Sequence, residues 1–131
     1  MAMINYLGHV AITVKDMDRA LDFYSKLGFS VIRKGENPIR KVAIIGNGLA
    51  QLELLACKKE DAKEVPPLKD DEIGIKHIAL HVDDMESAIE GLKKRGVEFT
   101  SEMTEHMTQT GKLSVISFRD PDGTPLQLIQ G

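Results

Sequence analysis

The chain has 131 residues, 42% of them hydrophobic and 28% charged, enough for one substantial core, too few for two independent ones, and no composition for disorder. A formal net charge of −3, with both signs mixed along the chain, excludes the basic field that neutralises phosphates, so no nucleic-acid partner is expected. No apolar run approaches the roughly 18–20 residues that span a bilayer, the opening Met1-Ala2-Met3-Ile4-Asn5-Tyr6 has no basic and apolar leader pattern, and Cys57 is the single cysteine; together these predict a cytoplasmic protein with no membrane contact.

Residues 4–14 alternate apolar and β-branched side chains with a period of two and predict a strand. Asp16 is a good N-cap for a helix from Met17, whose stripe of Ala20, Leu21, Phe23, Tyr24 and Leu27 ends at Gly28. Residues 29–33 and 41–45 read as strands, and Asn47-Gly48 as a two-residue hairpin turn into a fourth, residues 49–56. This is a β-α-β-β-β order. Residues 58–72, with mixed charges and Pro66-Pro67, read as a linker with room for one helical turn.

The second half repeats the plan. A strand over 75–82 leads to the cap Asp84 and to a helix buried through Met85, Ala88, Ile89 and Leu92, closed by Gly96. Residues 97–103 extend again, and 104–112 read as a longer polar loop carrying His106 and Met107, a candidate substrate loop. Strands over 113–118 and 125–129 flank the turn Asp120-Pro121-Asp122-Gly123. The boundaries are module one 1–57, linker 58–74 and module two 75–131, all within one domain.

A constant offset relates the halves: His9 falls on His77, Ala11 on Ala79, Val14 on Val82, Asp16 on Asp84, Met17 on Met85, Ala20 on Ala88 and Gly28 on Gly96. Two copies of one structural unit share the interior. Each copy opens with a histidine. Strand residues two apart share a face, so His9 lies with Ala11 and Thr13, and His77 with Ala79 and His81. Glu53 and Gln127 both occupy a Leu-X-Leu setting in the last strand of their half. A carboxylate between leucines is costly to desolvate unless a cation compensates it. Two histidines and a carboxylate on the inner face of a curved sheet would coordinate a divalent metal, with the amide oxygen of Gln127 as a fourth donor. Thr13 and His81 either touch substrate or fill the cleft, and Arg33, Arg40, Lys41 and Arg119 are cations for an anionic tail that the sequence does not separate.

The stretches Gly8-His9-Val10-Ala11-Ile12, Ala20-Leu21-Asp22-Phe23-Tyr24, Leu27-Gly28-Phe29, His77-Ile78-Ala79 and Asp120-Pro121-Asp122-Gly123 before Pro125-Leu126-Gln127-Leu128 resemble the vicinal oxygen chelate superfamily. It is also called the glyoxalase, bleomycin resistance protein and extradiol dioxygenase superfamily. The resemblance covers essentially the whole chain. It implies an α+β fold of two tandem βαβββ modules forming a curved mixed β-sheet around a metal-binding cleft, with His9, Glu53, His77 and Gln127 at the ligand positions. It further implies one divalent metal ion (Zn, Ni, Co, Mn or Fe), a small-molecule substrate, for which Thr13, His81 and His106 are the contact candidates from the strand and loop reading, and a homodimer that covers the sheet edges.

Glyoxalase I looks like the nearest chemistry, a lactoylglutathione lyase-type isomerisation in which a substrate with vicinal oxygens passes through an enediolate. The family has a glutamate where this chain has Gln127, and an amide abstracts no proton, so glyoxalase-type chemistry in this chain requires Glu53 as the catalytic base. Methylmalonyl-CoA epimerase follows related logic with the Gln and Glu in exchanged halves. Extradiol dioxygenases and fosfomycin-type thiol transferases place a carboxylate in the last strand, unlike this chain. The alternatives are a metal-free, bleomycin-resistance-like binding dimer, from another class, and an extradiol-type dioxygenase.

Overall fold

The computed structural model describes residues 3–59 and 62–131. Met1 and Ala2 of the opening stretch, and Glu60 and Asp61 of the expected linker, lie outside the described residues. The chain divides into two compact units, Met1–Lys63 and Glu64–Gly131. The fold is α+β, with one βαβββ module in each unit.

The first module runs β1 (Val10–Val14), α1 (Met17–Lys26), β2 (Ser30–Glu36), β3 (Arg40–Gly46) and β4 (Gln51–Cys57). Its four strands lie in the order β1-β4-β3-β2, with β1 parallel to β4 and the other pairs antiparallel. The second module runs β5 (Ile78–His81), α2 (Met85–Lys94), β6 (Thr104–Thr108), β7 (Gly111–Arg119) and β8 (Pro125–Gln130), in the equivalent order β5-β8-β7-β6. Both sheets are therefore mixed in the same way.

The helix boundaries follow the capping chemistry. Asp16 accepts the Arg19 amide at 2.9 Å, and Asp84 accepts the Ser87 amide at 3.2 Å and the Ser87 hydroxyl at 3.0 Å. Gly28 and Gly96 follow the last helical turns with φ of +98° and +88°, the left-handed turn that a side chain would oppose. Alternation then assigns the faces of the first sheet. Ile12, Val14, Ala43, Ile45, Leu52, Leu54 and Ala56 are buried with Met17, Ala20 and Tyr24 of α1, while Ala11 and Thr13 stay exposed and Glu53 and Leu55 half-buried.

Several boundaries differ from the sequence expectation: β2 runs on to Glu36 and β5 is confined to Ile78–His81. Residues 4–9 are not strand, because the partner β4 begins at Gln51 and the ladder starts at Val10↔Leu52. The Asn47-Gly48 connection is four residues long rather than two: Gly46 pairs with Gln51, and the Asn47 side chain accepts the amides of Leu49 and Ala50 at 3.0 and 2.8 Å. Residues 97–103 hold no strand but a single bridge, Phe99↔Phe118, with the Ser101 hydroxyl accepting the Ser117 amide at 3.1 Å.

The expected loop over 104–112 is instead the hairpin of β6 and β7. Its strand β6 is exposed on every residue, so both faces carry polar side chains and the composition imitates a loop. No helix interrupts the described part of the linker. Among the described residues no helix is long and apolar enough to cross a membrane, and Cys57 is free and half-buried.

Candidate functional site

In the first module the register pairs Ala11 with Glu53, Glu53 with Ile44, and Thr13 with Leu55. Directly opposed strand residues share a face, so all lie on the side away from the buried core. His9 immediately precedes β1, two residues before Ala11, and its Nε2 stands 3.8 Å from Glu53 Oε1. The two side chains are 44% and 25% exposed. Leu52 and Leu54 point to the opposite, buried face. The flanking leucines therefore do not desolvate this carboxylate as the Leu-Glu-Leu pattern suggests; the pleat keeps it within reach of solvent.

The second module repeats this placement. Ala79 pairs with Gln127, as Ala11 pairs with Glu53, and His77 again precedes its alanine by two residues. The Gln127 amide nitrogen donates to the Ser117 hydroxyl at 3.4 Å, across the pair Ser117↔Gln127. That bond occupies the Nε2 side and leaves the amide oxygen for another partner. His81 follows Ala79 on the same face, its Nδ1 3.8 Å from Asp83 Oδ1, and borders an open hollow of about 370 Å³ with Asp83, Lys112, Ser114 and Gln130.

His106 is on strand β6 rather than a loop. It is opposite Leu113, with Nε2 3.1 Å from the Thr104 hydroxyl. Leu113, Val115 and Ser117 alternate onto one face of β7, so the register carries His106 onto the face of Gln127.

The family model of the Glyoxalase/Bleomycin resistance protein/Dioxygenase superfamily matches residues 6–128. The chain belongs to this superfamily. It is 34% identical over 130 residues to the lactoylglutathione lyase of Escherichia coli O157:H7, covering 93% of this chain and 90% of that protein. It is 29% identical over 132 residues to the uncharacterized protein YwkD of Bacillus subtilis (strain 168), covering 98% of both. Among solved structures, the glyoxalase family protein from Enterococcus faecalis superposes with a TM-score of 0.82 at 27% identity, over 98% of this chain and 99% of that one.

Among the described residues no cluster of three or more histidine, cysteine, aspartate or glutamate side chains is assembled. Within a module, the structure brings His9 and Glu53 together. Each module presents donor types that suit a borderline divalent cation, an imidazole with a carboxylate in the first and an imidazole with an amide oxygen in the second. Ser117 was not singled out in the sequence. A serine alternating with apolar residues in a half-buried strand carries no signal until the register sets it beside Gln127.

Proposed function

We propose that this chain is a divalent-metal-dependent lyase or isomerase of glyoxalase I type, acting on a small substrate with vicinal oxygens. The metal ligands in this reading are His9, Glu53, His77 and Gln127, with Glu53 also the proton-transfer base and Thr13, His81 and His106 as substrate contacts. The domain works as one unit, with module one 1–57, linker 58–74 and module two 75–131.

The observation that carries the reading is the shared register. A histidine two residues before the alanine that faces Glu53 or Gln127 occurs in both modules, and unrelated structural residues have no reason to coincide in this way. The 34% identity to a lactoylglutathione lyase supports the reaction class and, with it, thiol hemiacetals as the substrate class to try first.

A bound divalent cation supplies Lewis-acid polarisation of neighbouring oxygens, which acidifies the adjacent C–H. Glu53 takes that proton and returns it to the neighbouring carbon. His9, 3.8 Å away, restricts where the carboxylate sits. Gln127 has no proton to exchange, and its amide, held at Ser117, serves as a neutral oxygen donor. One carboxylate thus carries both halves of the transfer.

The reading includes a homodimer: Ile4, Tyr6 and Leu7 are 78–81% exposed in the single chain, more apolar surface in one short segment than scattered exposure explains. The deciding experiment is elemental analysis of protein purified without chelator, wild type against His77→Ala. Near-stoichiometric metal that disappears in the variant is expected. No metal, even after addition of zinc, nickel, cobalt or manganese, overturns the reading in favour of a metal-free ligand-binding dimer.

A further inference from the structure

Arg33 belongs to the same cross-strand row as Glu53. The register runs Ala11↔Glu53, Glu53↔Ile44 and Ile44↔Arg33, so two strand spacings, about 10 Å, separate the backbones of Glu53 and Arg33. Simple alternation would forbid this placement. Val31 pairs with the buried Ile45, and Arg33, two residues on, would share that buried face. A register shift between Val31 and Arg33 inserts Ile32 as an extra residue and resets the alternation.

Ile32 and Arg33 consequently lie in succession on the Glu53 face. Gly46 shares that face by alternation with Ile44, and a Cβ at Gly46 would come within 2.6 Å of Ile32 Cδ1. Bulges of this kind re-aim a side chain beside a site. The space next to Arg33 is open: Gly35, two residues along, would place a Cβ against nothing within 4 Å.

The Arg33 guanidinium makes no ion pair or hydrogen bond among the described residues, whereas Lys58 is paired with Glu36 and Lys26 with Asp22. Of the other three candidate cations named from the sequence, Lys41 pairs with the buried Ala56 and faces away, Arg40 lies four residues along β3, about 13 Å from the row, and Arg119 is in the other unit.

We infer that Arg33 is a specificity residue that selects substrates bearing a carboxylate or comparable anion roughly 5–10 Å from the carbon that Glu53 serves. The inference rests on the reading of Glu53 given above. A planar guanidinium with free donors binds a carboxylate through two parallel hydrogen bonds, and the Ile44 side chain between the two polar ends offers an apolar floor for the connecting carbons.

The test titrates wild type and Arg33→Gln with adipic acid monohydroxamate and with its methyl ester, each with and without added zinc, by calorimetry. The wild type should bind the acid about tenfold more tightly than the ester whether or not zinc is present. Arg33→Gln should lower the acid to the ester's affinity and leave the ester unchanged, and Arg33→Lys should keep part of the preference. A wild type that does not distinguish acid from ester, or a preference that survives in Arg33→Gln, overturns the assignment. If the acid preference holds but zinc adds nothing to either hydroxamate, the metal reading fails while the role of Arg33 stands.

Discussion

Glu53→Gln separates the chemistry from the fold. The substitution keeps the side-chain volume and removes one charge and the only base of the proposed transfer. The pair that it breaks is with His9 at 3.8 Å, with the two side chains 44% and 25% exposed, a setting worth below about 1 kcal/mol. Glu53 lies on the face away from the core that Leu52 and Leu54 fill, so the unfolding free energy from urea titration should change by no more than about 1 kcal/mol. Loss of a positioned general base costs about 10²–10⁴ in rate, or about 3–5 kcal/mol of barrier. The assay follows thioester formation from a methylglyoxal–thiol hemiacetal under single-turnover conditions, with metal saturation checked for both proteins. A metal-loaded Glu53→Gln whose turnover remains within threefold of wild type refutes Glu53 as the base.

Gln127→Glu adds a second carboxylate at the equivalent position; metal affinity should rise, and proton exchange of substrate with solvent should increase several-fold in a deuterium wash-in experiment. Leu54→Ala empties a fully buried site in the central strand β4, with an expected loss of about 3 kcal/mol and a fall in Tm of about 10 °C, read by calorimetry with the secondary structure retained. The Asp84 carboxyl sits below the ordinary aspartate range because the Ser87 backbone amide, then the Ser87 hydroxyl, hydrogen-bond to its charged form. A depressed folded pKa stabilises the native state above the unfolded value, and that contribution disappears as pH falls through the folded one. Hydrogen-exchange protection at the start of α2 should therefore decline on the acid side only, and Asp84→Asn should flatten that decline.

The sequence disclosed those parts of the fold whose signals are local. Asp16 and Asp84 before apolar stripes, with Gly28 and Gly96 after them, locate both helices because caps and left-handed turns depend on a few neighbouring residues. Alternation in Leu52-Glu53-Leu54 and Leu126-Gln127-Leu128 identifies the central strands. Register is not local. The composition of β6 matches a loop because that strand is exposed throughout, and the shift at Ile32 that turns Arg33 over has no mark in Val31-Ile32-Arg33 itself. His106 reaches the face of Gln127 only through two successive pairings, β6 with β7 and β7 with β8. Alternation shows which residues of one strand share a face, as Ala79 and His81 do; which residues of different strands meet there depends on the register.

The two modules agree in placement and differ in chemistry, and that difference is what the site can use. Ala11↔Glu53 and Ala79↔Gln127 are the same position in two copies, yet one side chain exchanges a proton and the other does not. In the proposed reaction the base, Glu53, and the anion contact, Arg33, both come from one row of module one. The bulge at Ile32 has no counterpart in the second module's register, where β6 pairs with β7 without a shift. The copies therefore share the register that presents Glu53 and Gln127 and differ in the residue presented there and in the shift that turns Arg33 over.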